Sequence, residues 1–311
     1  MARWTHIDGA VVSGRRKAPT GEAHGTVVIA GATAVPASYY EPLADWLVDA
    51  CGVAVVTFDY RGIGGSRGPS MATHREDLRD WAEDLALVVR SEAARGPVVV
   101  VGHSFGGHAF AMTEAHRHAA GLYTFGTGSG WHGWMTRGEA RRVQLLWHVL
   151  APPLVAWHGY LPMKRLGMGE DLPAEVYRDW KRWCGYPRYF FDDPEARFVR
   201  HFRAVSVPVV GVNSVDDPWA APASAEAFLS RYPTASLHTV TPEEAGVEAI
   251  GHMAYVRPRC VALWEPLAAF VRSCVRPAEA PELLPPSRHI ETSGGPNRPY
   301  EGGVPHHRSP A

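Results

Sequence analysis

The sequence predicts an α/β fold in which helices cover both faces of a mostly parallel sheet and a helical lid is inserted into that core. Three observations support this prediction. Short runs rich in valine and isoleucine recur without polar alternation, which is typical of strands buried on both faces. Longer segments with helical spacing of their apolar residues separate these runs. From 128 to 201 the alternation stops, and six of the chain's 11 tryptophans fall in that stretch.

The strands are predicted from their apolar, β-branched composition. A turn signal at Asp8-Gly9 indicates a hairpin near the start of the chain. Further strands are expected at 26–30, 53–58, 97–101, 122–125, 207–212 and 236–240. Residues that directly follow the parallel strands are expected at one edge of the sheet, where ligands bind in open α/β folds.

The helices are predicted where apolar residues recur at intervals of three and four. Gly52 marks the end of the first helix, and Thr73 with Glu76 forms a candidate capping box before the second. The predicted helices cover 41–51, a segment with Leu78 to Val89 on its apolar face, 105 to about 118, about 223–231 and about 258–275.

The chain is predicted to divide into a core, a lid and a tail. Residues 1–127 and 202–276 form the expected α/β core, and residues 128–201 the helical lid. The apolar run 143–161 is long enough to suggest a membrane span, but Pro152-Pro153 and three polar residues interrupt it, so a broken, buried lid helix is expected. Residues 277–311 are rich in proline and glycine and poor in apolar side chains, which predicts a disordered tail.

The composition is that of an ordinary globular protein, with 46% hydrophobic residues and a formal net charge of -1. Because basic residues are not in excess, neither nucleic acid nor a membrane is expected as a partner. The four cysteines lie far apart and are expected to be reduced, mostly buried thiols. The first residues lack the charged-then-apolar order of a signal peptide, so a cytoplasmic location is expected. The oligomeric state stays open.

The segment from Gly102 to Gly106 has the form G-x-S-x-G and lies between a predicted strand and a predicted helix. The serine of such a motif occupies a tight turn, and side chains two residues to either side would crowd that turn. The turn would place the hydroxyl of Ser104 clear of the sheet and next to backbone N–H groups that can bind an oxyanion. We therefore predict that Ser104 is a nucleophile.

A serine hydroxyl needs a base that removes its proton. His252 follows the last predicted strand and precedes the last predicted helix, so it should lie at the same edge of the sheet as Ser104. The acid that orients this base is expected after the preceding strand, where Asp217 and Asp216 are alternatives. Asp217 is preferred because it directly precedes Pro218, which restricts its backbone to extended conformations. Ser104, Asp217 and His252 then follow the chain order of a Ser–acid–His triad.

Two backbone donors are needed for an oxyanion. One is predicted to be the N–H of Phe105, the residue after the nucleophile. The other is expected in the loop after strand 26–30, where Ala32 is preferred and Thr33 is the alternative.

Two further motifs do not predict a bound group. His116 and His118 would face apart on a helix, so no metal is expected there. The glycines at 62–65 lack the order of a dinucleotide-binding loop, so no cofactor is expected. The expected partner is a small-molecule substrate.

These residues together resemble the α/β-hydrolase superfamily over roughly 5–275. The lid string at 159–173, with WKRWC after it, is similar to a bacterial group of predicted serine hydrolases to which no substrate is assigned. The resemblance implies the α/β-hydrolase fold and an esterase-like serine hydrolase. The matching pieces are AGAT at 30–33, DYRGIGGS at 59–66, GHSFGG at 102–107, NSVDDPWAAP at 213–222 and IGHMAYVRP at 250–258.

One position departs from the family pattern. Many members have His-Gly where this chain has Ala30-Gly31, so the polar anchor that this histidine supplies is missing. The expected reaction is hydrolysis of an ester, thioester or amide of a small, apolar molecule. Acyl transfer or lyase chemistry on the same scaffold, and a non-catalytic ligand-binding homologue, stay open as alternatives. The tryptophans of the lid either form an apolar substrate pocket or only pack the lid onto the sheet.

Overall fold

The computed structural model describes residues 1–275, and the predicted tail at 277–311 lies outside these described residues. The strands are β1 Ala2–Thr5, β2 Val11–Lys17, β3 Thr26–Ala30, β4 Ala54–Asp59, β5 Val98–His103, β6 Gly121–Phe125, β7 Tyr160–Leu161, β8 Leu172–Pro173, β9 Val209–Ser214 and β10 Ala235–Val240.

One sheet contains all of these strands except β7 and β8, which pair with each other. Its order is β1-β2-β4-β3-β5-β6-β9-β10. The pairings that join β4, β3, β5, β6, β9 and β10 in this order are all parallel. β1 and β2 form an antiparallel hairpin around the turn signalled by Asp8-Gly9. The central strands β3, β5 and β6 are buried along their whole length, which explains why their sequences lack polar alternation.

The α-helices cover both faces of the sheet, as the sequence predicts. Val99 and Val101 of β5 belong to one buried cluster and Val98 and Val100 to another, because successive side chains of a strand point to opposite faces. The first cluster includes residues of helices α1 (Glu41–Cys51) and α8 (Trp264–Val275), and the second includes residues of α2 (Leu78–Ala93) and α7 (Pro222–Leu229). The helices are α1 Glu41–Cys51, α2 Leu78–Ala93, α3 Phe105–Ala109, α4 Arg137–Leu145, α5 Ala151–His158, α6 Ala174–Cys184, α7 Pro222–Leu229 and α8 Trp264–Val275.

The capping box predicted for α2 is wrong. Thr73 and Glu76 do not cap this helix, because the hydroxyl of Thr73 donates to the carbonyl of Ser70 at 2.8 Å and the carboxylate of Glu76 lies 2.9 Å from Nδ1 of His74. Asp77 is the N-cap instead, and its carboxylate accepts the N–H of Asp80 while the carboxylate of Asp80 accepts the N–H of Asp77. A capping box is therefore present, but it is formed by Asp77, the residue just before the helix, and Asp80.

The helix predicted from 105 to 118 is shorter in the structure. It ends at Ala109, and Glu114–His118 forms a separate 3-10 turn. The side chain of Thr113 accepts the N–H of Ala115 and so begins a new turn in place of a continued helix. The last predicted helix also starts later, because Pro258–Leu263 is a 3-10 turn and only the part from Trp264 is α-helical.

The inserted segment, which lies between β6 and β9, contains α4, α5, α6 and the small β7–β8 pair. The expected break at Pro152-Pro153 is wrong, since α4, the π-helical Leu146–Leu150 and α5 follow one another without interruption. Both prolines lie just after the π-helical turn, where the regular α-helical hydrogen-bond pattern is already interrupted. The expected burial is also wrong in part, because Val149 and Trp157 are exposed. Among residues 1–275, helices that combine the length and the apolar character of a membrane span do not occur.

Candidate active site

Ser104 occupies a strained turn between β5 and α3. Its φ is +53°, a left-handed value that L residues with a side chain adopt rarely. The backbone N–H of Ser104 donates to the carbonyl of Phe125 at 2.9 Å, which fixes the turn to β6. The side chain is thereby presented at the carboxyl end of the central strand.

The glycines at both ends of the motif are required by close backbone contacts. A Cβ at Gly102 would lie 2.5 Å from the backbone nitrogen of Gly107, and a Cβ at Gly106 would lie 2.0 Å from the carbonyl oxygen of Ala30. Neither contact can relax by a side-chain movement, since both partners are backbone atoms. The crowding that the G-x-S-x-G spacing predicts is therefore present on both sides of Ser104.

Ser104, His252 and Asp217 lie together at the edge of the sheet in a continuous series of hydrogen bonds. The Nε2 atom of His252 is 2.9 Å from the Oγ of Ser104, and Nδ1 is 2.9 Å from Oδ2 and 3.0 Å from Oδ1 of Asp217. A carboxylate can only accept, so the ring proton belongs on Nδ1. The lone pair of Nε2 then faces the serine hydroxyl.

Asp217 is buried and strongly hydrogen-bonded. Oδ1 accepts the backbone N–H groups of Trp219 and Ala220, both at 2.9 Å, and Oδ2 accepts the hydroxyl of Tyr255 at 3.0 Å. Burial by itself would raise the pKa of this carboxyl group, but the charge and hydrogen bond of His252 and the two backbone bonds bring the pKa below its ordinary value. The Tyr255 contact was not predicted from the sequence.

Asp216, the alternative acid, points elsewhere. Its carboxylate accepts the backbone N–H groups of Ile250 and Gly251, each at 3.0 Å, and the hydroxyl of Ser214. It therefore bonds the loop just before His252 rather than the imidazole ring.

The two expected oxyanion donors differ in their surroundings. Phe105 is the first residue of α3, so its N–H lacks an acceptor within the helix. The N–H of Ala32, the preferred second donor, donates to the hydroxyl of Tyr40 at 2.7 Å, and Ala32 lines the cavity that contains Ser104, so its role stays a prediction. The alternative, Thr33, is half-buried and lines the same cavity as Ser104.

A cavity of about 370 Å³ contains Ser104 and His252. Residues of the inserted segment form part of its wall, among them Met163, Met168 and Trp180, and Trp219 comes from the loop between β9 and α7. A larger groove of about 570 Å³ lies on the inserted segment between α5 and α6, but none of the three hydrogen-bonded residues lines it. The smaller cavity is therefore the candidate active site.

The tryptophans of the inserted segment play different parts. Trp147 and Trp183 are fully buried, and Trp157 is 86% exposed. Only Trp180 of these six lines the cavity of Ser104 in the described part of the chain, where its ring centroid is 5.5 Å from that of Trp219. Two of the six tryptophans therefore pack inside the protein and one lines the cavity, while a role in substrate binding stays a prediction.

Comparison with protein families gives one match. Residues 24–262 match the family model described as "Alpha/beta hydrolase family". A search of curated proteins returned no match.

Solved structures with the same fold are numerous, at low sequence identity. A soluble variant of the monoglyceride lipase of Saccharomyces cerevisiae is similar with a TM-score of 0.65 and 18% identity, covering 87% of this chain and 94% of that one. Est1E from Butyrivibrio proteoclasticus, solved with ferulic acid bound, has a TM-score of 0.60 and 16% identity, covering 88% and 99%. A thermophilic esterase from Thermogutta terrifontis has a TM-score of 0.57 and 17% identity, covering 89% and 100%. At these identities the likeness shows the fold.

Proposed function

The chain belongs to the alpha/beta hydrolase family, and from this premise we propose that it is a serine hydrolase that cleaves an ester, thioester or amide of a small, apolar molecule. The observation that carries the proposal is the hydrogen-bonded series from Ser104 through His252 to Asp217 at the wall of a ligand-sized cavity. Fold alone does not determine the reaction, so the proposal depends on these side chains.

The first half-reaction forms an acyl-enzyme on Ser104. Nε2 of His252 removes the hydroxyl proton as Oγ attacks the acyl carbon, and the carbonyl oxygen becomes an oxyanion. We assign the stabilising donors to the N–H groups of Phe105 and Thr33, because the N–H of Ala32 is paired with a tyrosine. Collapse of this intermediate breaks the bond to the leaving group, which takes the proton from His252.

The second half-reaction returns the enzyme to its starting state. Water enters in place of the leaving group, and Nε2 of His252 removes one of its protons. The resulting hydroxide attacks the acyl carbon, and Ser104 departs with the proton held by His252. Asp217 stabilises the imidazolium in both halves through the bond to Nδ1 and remains ionised itself, in agreement with its lowered pKa.

The walls of the cavity favour apolar acyl groups. Val35, Met163, Met168 and Trp219 are among the residues that line it, and thioether and indole side chains gain by burying such surface. A volume of about 370 Å³ lies near the lower end of the range for small-molecule sites. We therefore expect short to medium acyl chains as substrates.

The test combines covalent labelling with a substrate series. A fluorophosphonate probe is expected to label the wild-type protein and not the Ser104→Ala variant, since the probe reacts with an activated serine hydroxyl. p-Nitrophenyl esters from acetate to dodecanoate are expected to give kcat/KM values that rise and then fall with chain length. Absence of both labelling and ester hydrolysis in the folded wild-type protein would contradict the proposal.

A further inference from the structure

A buried series of hydrogen bonds joins the oxyanion loop to the loop of the base. The N–H of Ala32 is 2.7 Å from the hydroxyl oxygen of Tyr40, this oxygen is 2.8 Å from Nδ1 of His103, and Nε2 of His103 is 2.8 Å from the carbonyl oxygen of His252. Tyr40 and His103 are each 1% exposed. The sequence prediction assigned no role to either side chain.

The donors and acceptors of this series have only one consistent direction. The carbonyl of His252 can only accept, so Nε2 of His103 carries the ring proton and Nδ1 is an acceptor. The hydroxyl of Tyr40 then donates to Nδ1, and its oxygen accepts the N–H of Ala32. Each of the three hydrogen bonds in the series therefore has one donor and one acceptor.

A neutral imidazole is needed for this arrangement, because a protonated Nδ1 would face the tyrosine as a second donor. Burial, followed by the charge of the neighbouring His252, lowers the pKa of His103 to about 4, so the ring is neutral under ordinary conditions. The tyrosine stays protonated, since burial raises the pKa of Tyr40.

We infer that Tyr40 and His103 are positioning residues that fix the oxyanion loop relative to the backbone of the general base. The inference rests on the proposed function. His103 directly precedes Ser104, so one rigid strand end presents both the nucleophile and the residue that contacts the carbonyl of His252. Ala30, at the end of β3, has no polar side chain that could anchor the loop, and the bond from Tyr60 to the carbonyl of Gly31 is longer, at 3.3 Å.

Three variants separate the two ends of the series. Tyr40→Phe keeps the ring and removes the hydroxyl, which leaves Ala32 without its acceptor. His103→Phe removes both bonds of the imidazole. His103→Gln keeps an amide that can donate to the carbonyl of His252 and therefore tests that end alone. Tyr177→Phe is the matched control, because its buried hydroxyl donates to the backbone carbonyl of Trp147 at 2.8 Å, outside the cavity of Ser104.

The expected result is a loss in turnover without a loss in substrate binding. Tyr40→Phe and His103→Phe are each expected to lower kcat by about tenfold to a hundredfold, with KM within about threefold of the wild type, because an unpaired buried group costs this much when its displacement affects the transition state. The double variant is expected to lose no more than about threefold beyond the worse single variant, since both changes interrupt the same series. His103→Gln is expected to recover at least about fivefold over His103→Phe.

A purely structural role would give a different pattern. In that case Tyr40→Phe and the control Tyr177→Phe would both lose thermal stability, while kcat of the remaining folded protein would stay within about twofold of the wild type. Such a result at Tyr40 or at His103 would overturn the inference, and one folded variant is enough for this test. Losses of kcat that multiply in the double variant would also overturn it.

Failure of the inference can be distinguished from failure of the proposed function. A wild-type protein that a fluorophosphonate labels on Ser104, together with unimpaired variants, would overturn the inference alone. A folded wild-type protein that is neither labelled nor active on any ester would overturn both.

Discussion

Replacing Asp217 with asparagine is a sharp test of the site, because the structure determines which way the new amide would face. Oδ1 accepts two backbone N–H groups, from Trp219 and Ala220, at 2.9 Å each. An amide NH2 group at this position would face two donors that cannot change, so the amide oxygen is expected there. The NH2 group then takes the place of Oδ2, where it faces His252 and the hydroxyl of Tyr255.

An NH2 group at that place reverses the hydrogen bond to His252. The tautomer with the proton on Nε2, whose Nδ1 accepts from this NH2 group, then competes with the one that keeps only the bond from Nδ1 to the amide oxygen 3.0 Å away, so fewer rings present a lone pair to the hydroxyl of Ser104. In a well-studied serine protease with the same triad, this change lowers turnover by about 10⁴, which corresponds to about 5 kcal/mol in the barrier. We expect Asp217→Asn to lower kcat by about 10³ to 10⁴ here.

Asp216→Asn is the matched control at the neighbouring residue. Its carboxylate contacts the backbone N–H groups of Ile250 and Gly251 and makes no hydrogen bond to the imidazole in the described part of the chain. An asparagine keeps one oxygen, so one of the two backbone bonds is lost, at a cost of about 1–3 kcal/mol. Because this cost falls mainly on stability, kcat is expected to fall by about tenfold or less.

The assay is steady-state hydrolysis of a p-nitrophenyl ester by both variants, with thermal unfolding as a check on the fold. A larger loss of kcat in Asp216→Asn than in Asp217→Asn would refute the assignment of the acid. A kcat for Asp217→Asn within tenfold of the wild-type value would refute the tautomer argument itself.

Three further predictions concern the nucleophile, its turn and a buried acid. Ser104→Ala should abolish ester turnover with little change in melting temperature, because only the hydroxyl is removed; turnover well above the uncatalysed rate would exclude this serine as nucleophile. Gly106→Ala should destabilise the fold by about 3 kcal/mol or more in urea unfolding, since the Cβ would lie 2.0 Å from the carbonyl oxygen of Ala30; an unchanged midpoint would contradict the close contact. Burial, followed by the charge of Asp77, raises the pKa of Asp179 from 3.8 to about 6. The folded state therefore binds more protons than the unfolded state between these values, so the contribution of Asp179 to stability is present at low pH and is lost as the pH rises through about 6. Asp179→Asn should reduce the difference in melting temperature between pH 5 and pH 7, and an unchanged difference would contradict the raised pKa.

The strands of the core could be predicted from the sequence because burial on both faces leaves a strong local signal. The run at 26–30 becomes β3 with the same limits, and the helix at 41–51 becomes α1 with Gly52 in the left-handed conformation that ends it. The helix expected to reach His118 could not be predicted correctly, since the competing turn depends on one hydroxyl, that of Thr113, accepting a nearby N–H.

The location of the candidate site could be predicted because Ser104, Asp217 and His252 each lie just after a strand or in the loop that follows one. The hydrogen-bond partners of the candidate oxyanion donors could not be predicted in the same way. Ala32 and Thr33 are neighbours in one loop, and what separates them is a contact from Tyr40, a residue of the next turn whose side chain returns to the loop. Asp216 and Asp217 likewise share one turn, and only the three-dimensional position of His252 distinguishes their directions.

The loop that carries His252 belongs to no strand or α-helix, yet the side chains of three residues form hydrogen bonds with it. Asp217 bonds the ring, Asp216 bonds the two N–H groups before it, and His103 bonds its carbonyl oxygen. All three partners come from the carboxyl ends of β5 and β9 or the loops just after them, so the core sheet determines the position of the base. The inserted segment contributes cavity wall, such as Trp180. Under the proposed function, changes in that segment would alter which acyl groups fit while the hydrogen bonds from Ser104 through His252 to Asp217 stay the same, which is how one scaffold serves different substrates.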